Sequence, residues 1–299
     1  MNLLKSLQYT SKFHAHHGEI IQGIFTDLYD QEISALVTLP FDLMYSEAKF
    51  QIIEGMREIF VFPESKKFSQ ETVDYLKDKY KLYDKGGIIE LTSNIRETKG
   101  YGSSTVDICC TISVISKAFD LNITEDEMAK IAQKIEKASD STMYIDKCIL
   151  FQQREAIIKK EYTHKLPQMI IVGVDTDVNS KVITEDLVLP DYSLEDKEML
   201  NKALRCFEES LPNRSVDLLG EAATISAKIN QKYLKKPKFE ELLEIKNKSG
   251  ALGLQIAHSG TLAGLIFSPD QKDLGDNLKL CGELLDEIDL KEHYVFEVK

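Results

Sequence analysis

The stretch Lys99-Gly100-Tyr101-Gly102-Ser103-Ser104-Thr105 runs directly into a segment, residues 105–119, whose apolar side chains go nearly all the way round a helix. A helix that is apolar on every side is a buried one. Two glycines ahead of it let the backbone turn tightly and come close to a ligand. Ser103, Ser104 and Thr105 then bring hydroxyls and unpaired N–H groups to the helix N-terminus. There the dipole favours an anion by up to about 2 kcal/mol in a partly buried geometry. The segment suits a phosphate cradle made of backbone. It lacks the GxxxxGK[ST] order of a P-loop and has only part of a GxGxxG fingerprint. Taken alone, a Gly-Ser turn with ordinary N-capping accounts for it equally well.

Upstream, residues 86–93 read as a short strand entering this loop, and residues 69–82 as a helix with Val73, Leu76 and Tyr80 at helical spacing. Residues 36–39 and 43–53 read as two strands separated by Pro40, which breaks a sheet ladder. Downstream, residues 124–137 form a second helix opening on the capping pattern Thr124-Glu125-Asp126-Glu127. Residues 167–174 and 261–267 are apolar strand candidates. Residues 194–209, 215–231 and 237–249 read as helices, the last closing at Gly250. Strands and helices mix without strict βαβ alternation, so the fold class expected is α+β. The region before Pro167 is the expected domain junction, dividing the chain into residues 1–164 and 165–299.

The 299 residues are 43% hydrophobic and 29% charged, values of a globular protein with a sizeable core. A net charge of -12 disfavours a nucleic-acid partner, which requires a basic surface. No apolar run approaches the roughly 18 residues of a membrane span, and residues 1–12 lack a signal-peptide core. Five cysteines without a CxxC pair argue against a disulfide framework or zinc ribbon and for a reducing compartment, so a cytoplasmic location is expected. The basic run from Lys232 to Lys238 reads as a solvated helix-end loop in so acidic a chain. His14, His16 and His17 do not read as a metal cluster, because neighbours on a strand point to opposite faces.

Two more glycine-spaced polar loops lie beside apolar strands: His16-His17-Gly18-Glu19-Ile20-Ile21-Gln22-Gly23, and the segment 249–261 ending in Ala257-His258-Ser259-Gly260-Thr261. Three such loops in this order are similar to the three motifs of the GHMP kinase superfamily. Within it, bacterial L-threonine kinases of the cobalamin pathway carry G-E-[LI]-[VIL]-Q-G, S-S-T-x-D-I and A-H-S-G-T. The counterparts here begin at Gly18, Ser103 and Ala257. The stretch from Gly220 to Ser226, running on to Asn230 and Gln231, also resembles that family, and the resemblance spans about residues 13–267. The chain departs from it at His16 and His17, where a small residue and a cysteine are commoner, and at Gly102, where Ala is common.

The resemblance implies a two-domain GHMP kinase fold, with a ribosomal protein S5 domain 2-like N-terminal domain that binds ATP and a ferredoxin-like C-terminal domain. It implies ATP-dependent phosphorylation of a small-molecule acceptor, L-threonine, with homoserine or serine as alternatives. A non-catalytic binding module that kept the fold is the rival of another class. Lys99, Gly100, Tyr101, Gly102, Ser103, Ser104 and Thr105 would wrap the phosphates, with Ser104 and Glu136 on Mg²⁺. Asp140, in Glu136-Lys137-Ala138-Ser139-Asp140, would orient or deprotonate the acceptor hydroxyl; a solvated helix end is the alternative for both carboxylates. Glu19, Gln22, His17, His258, Ser259, Gly260 and Thr261 are the acceptor-binding candidates; a buried polar pair fixing a strand end accounts equally well for Glu19 and Gln22, as does a histidine holding its loop through backbone hydrogen bonds for His258. Asp107 is a candidate for capping the phosphate loop. Neither nucleic acid nor membrane is an expected partner, and the expected assembly is a monomer or homodimer.

Overall fold

The computed structural model describes residues 8–27, 29–179 and 190–299, so the first seven residues of the leader reading lie outside it. Two long strands, β1 (Gln8–Thr26) and β2 (Glu32–Ile53), form an antiparallel hairpin at the centre of a ten-stranded sheet. On one side of the hairpin lie β4 (Gly86–Ser93) and the edge strand β3 (Ile59–Phe62). On the other, in spatial order, lie β8 (Gly253–Ile256), β9 (Leu262–Phe267), β7 (Met169–Asp175) and β10 (His293–Val298). The small hairpin of β5 (Cys148–Gln152) and β6 (Ile157–Tyr162) branches from β2. Among the described residues only β3 and β4 pair in parallel, which fits α+β architecture and not a doubly wound sheet.

Among the described residues, three apolar cores lie between the sheet and its helices. The helices α1 (Lys67–Tyr80), α2 (Ser103–Phe119) and α3 (Glu125–Glu136) bury Val73, Leu76, Ile108, Ile112 and Ile131 against Phe50 and Phe151. A second core joins α4 (Leu194–Asn213) and α5 (Val216–Tyr233) to the hairpin through Phe207 and Leu219 on one side and Ile20, Phe25 and Leu39 on the other. The third packs α6 (Phe239–Lys248) and α7 (Leu274–Glu287) on β7, β8 and β9. As its sequence requires, α2 is buried along most of its length.

Thr124 caps α3 by accepting from the Glu127 N–H at 3.2 Å, the bond its capping pattern predicts. The start of α2 is different. Its N-cap is Gly102, with φ of 72° and no side-chain cap. Asp107 does not serve as one either: it accepts from Ser46 and pairs with Lys66 at 2.8 Å. The first N–H groups of α2 are thus left for another acceptor, and ordinary capping does not explain the Gly-Ser stretch.

Pro40 does not break the sheet. The two strands expected around it are one, β2, and Pro40 lies opposite His16, where β1 is bulged on both sides. A proline lacks only a donor that an irregular ladder would not use. The bulges between His14 and Ile21 also bend β1 at the point where its Glu19 reaches β8 through the Glu19–Ile256 pair.

Candidate active site

A cleft of about 720 Å³ opens at this bend, walled by all three glycine-spaced loops. From the start of α2 it takes Ser103, Ser104, Thr105 and Asp107, with Gly100, Tyr101 and Gly102 before them. The end of α3 and the loop after it contribute Glu136 and Asp140; β1 contributes His16 and Glu19. His258, Ser259 and Gly260, between β8 and β9, close the far side with Gln153 and Arg154.

The carboxylate of Glu136 sits against the start of α2: the Ser104 hydroxyl donates to its Oε2 and the Thr105 hydroxyl to its Oε1. Asp140 stands beside them, its Oδ2 3.4 Å from Thr105 Oγ1 and its Oδ1 accepting from Gln153 Nε2 at 2.6 Å. Neither carboxylate is a solvated helix end. Burial pushes the Asp140 carboxyl up, but His16, Gln153 and Thr105 outweigh it and hold the group below the usual aspartate range. Lys66, between Asp107 and Glu97 at 2.8 and 2.6 Å, adds a cation to the same wall. Its ammonium is held above the ordinary lysine value, the two carboxylates overcoming the opposing effect of burial.

Close backbone approach explains the three glycine loops. A Cβ on Gly260 would stand 2.0 Å from the Lys99 carbonyl oxygen and 2.5 Å from Gly100 Cα. The Thr261 N–H donates to that same carbonyl at 3.0 Å. Glu19 ties the first loop to the third by accepting from the His258 N–H. Burial raises its pKa to about 7, with Asp140 adding to the shift and His16, the His258 amide and Lys236 opposing it. Gly260→Ala must push the phosphate loop off the third loop. Overpacking of this kind costs about 1–3 kcal/mol, so a denaturant midpoint lowered at unchanged slope is expected, with weaker nucleotide binding.

Four of the expected contact residues face elsewhere. Lys99 is buried with its Nζ 2.6 Å from the Asp177 carbonyl and 3.4 Å from Asp175, whereas Lys66, Lys67 and Lys137 line the cleft. Gln22 receives Asn230 Nδ2 on its Oε1 and donates to the Ile256 carbonyl, each at 2.9 Å, fastening β1 to α5 and β8. Thr261 donates its hydroxyl to Asp175 beneath the third loop. His17 lies among Phe41, Tyr101, Tyr294 and Phe296, bonded to Tyr294 OH at 2.8 Å and Gln255 Nε2 at 2.6 Å. Burial keeps it neutral, with a pKa lowered to about 3.

The cleft histidine of the first loop is its neighbour, His16. Tyr101 lines the cleft, but its side chain is buried, its hydroxyl 2.6 Å from that of Tyr294. The basic run is not wholly solvated either. Lys236 is buried and reaches the His258 carbonyl at 3.2 Å and the Leu234 carbonyl at 3.1 Å, and burial lowers its pKa to about 8 against Glu19. His258 is itself held near 4 by burial and by Lys236. Lys66, Gln153 and Arg154 are among the cleft residues that sequence reasoning missed, and His16 reads from the sequence only as a surface or substrate-lining histidine, without being singled out. The only signal for His16 was its place one residue from the expected one.

Among the described residues no group of three or more His, Cys, Asp or Glu could hold a metal unaided. Ser104 and Glu136 do fit Mg²⁺ as a partial shell, since that ion takes one or two carboxylates and completes its octahedron with phosphate oxygens and water. No helix among the described residues is long and apolar enough to cross a membrane. All five cysteines are free.

Residues 67–146, which include α1, α2, α3 and Asp140, match the family model of the GHMP kinases N terminal domain. The chain is 28% identical over 199 residues to the L-threonine kinase of Salmonella typhimurium, covering 66% of this chain and 64% of that protein. It is 27% identical over 187 residues to the L-threonine kinase of Citrobacter freundii, covering 62% and 64%. The match therefore spans just under two thirds of the length of either relative. Among solved structures, homoserine kinase from Cytophaga hutchinsonii superposes with a TM-score of 0.72 at 13% identity, covering 100% of this chain and 95% of that one.

Proposed function

From a chain that has the GHMP kinase fold and carries that family's N-terminal domain, we propose an ATP-dependent kinase acting on the side-chain hydroxyl of L-threonine, giving O-phospho-L-threonine and ADP. One observation carries this reading: an uncapped, half-buried helix start with the Ser104 and Thr105 hydroxyls bonded to Glu136, and Asp140, meet in a single cleft. The N–H groups at the start of α2 and the glycine-containing backbone before it bind the nucleotide phosphates. Lys66 adds charge on the same wall. Ser104 and Glu136 would hold Mg²⁺, which would supply charge neutralisation to the phosphates. Asp140 positions the acceptor hydroxyl in line. As the new O–P bond forms and the bond to ADP breaks, the hydroxyl proton passes to Asp140 and then to solvent. Transfer of this kind depends chiefly on positioning and charge, which a carboxylate of low pKa supplies.

His258, Ser259 and Gly260 line the acceptor side with Arg154, and Glu19 holds their loop in place. Residues 1–164 serve as the ATP-binding half and residues 165–299 as the C-terminal half of a cytoplasmic enzyme, monomeric or dimeric. The departure at His16 and His17 favours a second reading in the same chemistry, with homoserine or serine as acceptor. ADP release with Mg-ATP and a panel of L-threonine, D-threonine, L-serine, L-homoserine and 1-amino-2-propanol is the test. Selective turnover of L-threonine is the expected result. Turnover of another member would replace the acceptor. No release above background, with ATP still bound, would leave the non-catalytic module.

A further inference from the structure

We propose that His16 is the resident counter-cation of Asp140, a positioning residue seated in the room that Gly102 leaves, which holds that carboxylate ionised and aimed at the acceptor end of the cleft. Its catalytic consequence rests on the kinase reading; the ion pair itself does not. His16 lies between two bulges of β1, its N–H donating to the Tyr101 carbonyl at 3.2 Å. That bond anchors the imidazole to the loop leading into α2. The residue is 2% exposed, yet it lines the cleft. Its Nε2 stands 3.2 Å from Asp140 Oδ2, in ion-pair contact but without an aligned hydrogen bond. Its Nδ1 is 3.4 Å from the Gly18 carbonyl and 3.9 Å from Glu19 Oε1.

Gly102 makes this arrangement possible. A Cβ there would stand 2.6 Å from both Cδ2 and Nε2 of His16 and 2.7 Å from Asp140 Oδ2. The φ of +72° is a second reason for glycine. With a side chain at 102 the imidazole at 16 or the Asp140 carboxylate would have to shift from its present seat.

The charges around His16 come from every side of the cleft. Asp140 approaches from the loop after α3 and Glu19 from β1. Lys236 acts on Glu19 from beyond α5, Arg154 and Lys236 act on His258, and neutral His17 follows on the strand. Burial would strip the proton from His16, but the two carboxylates and the Gly18 carbonyl outweigh it and raise the pKa to about 9. The ring is thus a cation below about pH 9 and neutral above it. An unpaired histidine would lose its charge near 6.5. Loss of the proton at high pH leaves two carboxylates facing each other without a cation between them.

The test is histidine ring NMR across pH 5–10 on the full chain, in the parent, Asp140→Asn and His16→Gln, beside the pH dependence of kcat/KM. We expect one histidine, absent from the His16→Gln spectrum, to titrate near pH 9 and to fall by at least about one unit in Asp140→Asn. A His16 midpoint at or below 6.5 in the parent overturns the proposal. The parent's kcat/KM should fall above about pH 9, a limb that His16→Gln should lack while losing about 10–100-fold at neutral pH. A limb that survives in His16→Gln also overturns it. Gly102→Ala should cost at least about tenfold, and adding His16→Ser should cost little more, because the two changes act on one contact. Fully additive losses would contradict the shared seat. If the parent turns over no acceptor, the kinase reading falls while the NMR arm still decides the ion pair. If His16→Gln does not fold, the parent and Asp140→Asn titrations decide it.

Discussion

Turnover by the Asp140→Asn protein is expected to fall by about 10²–10⁴-fold, the range for losing a positioned acid–base group, with Mg-ATP binding little changed. Asparagine keeps the size of the side chain and can still accept from Gln153 Nε2, which holds Oδ1 at 2.6 Å. It loses the charge that faces His16 and the capacity to take the acceptor proton. The nucleotide side of the cleft has its own carboxylate in Glu136, which both the Ser104 and Thr105 hydroxyls reach directly. Asp140 bonds to the Thr105 hydroxyl that also reaches Glu136. A kinetic loss in kcat without a matching loss of ATP affinity is therefore the signature. Isothermal titration with Mg-ATP beside single-turnover phosphate transfer separates the two. A variant that retains a tenth or more of the parent rate would remove Asp140 from the chemistry.

The parts of this site that rest on backbone were legible in the sequence. Gly100 and Gly102 before a fully apolar helix marked the start of α2, and Thr124 marked the start of α3, because caps and tight turns are local events. β1 was harder to see. Its bulges between His14 and Ile21 interrupt the two-residue period by which a strand is recognised, and those bulges place His16 and Glu19 in the cleft. A one-residue difference on a strand reverses the face, so the reading placed His17 in the cleft where the structure places His16. Gln22 follows its alternative reading, a buried polar residue fixing a strand end, and Thr261 is claimed by the fold in the same way. A polar residue beside a glycine loop can serve the ligand or the loop, and here Asn230, Ile256 and Asp175 claim them. Lys236 shows the same limit in charge. A run of lysines is normally solvated, yet Lys236 is buried, its ammonium on the His258 carbonyl of the third loop and close enough to the buried Glu19 of the first to feel its charge.

Glu136→Gln is expected to weaken the apparent affinity for Mg²⁺ by about 10–100-fold, the scale on which supporting metal contacts act, and to lower turnover at fixed Mg-ATP at least as much. In the free protein the two carboxylate oxygens each receive one hydroxyl, from Ser104 and from Thr105. A glutamine offers one acceptor oxygen, so one hydroxyl must stop donating and accept from the amide NH₂ instead, and the negative charge at the α2 start is gone. The residue closes the last turn of α3 at a half-buried position, so the fold has little reason to suffer. Magnesium titrations of turnover and of nucleotide binding, run on parent and variant, should show the curve displaced to higher concentration. If excess Mg²⁺ restores most of the rate, the carboxylate acts through the metal. If turnover is lost at every concentration and the curve keeps its midpoint, Glu136 is instead a clamp for Ser104 and Thr105 and not a magnesium ligand. An unchanged protein in both assays would take away the argument that this cleft has kept a working phosphoryl-transfer site.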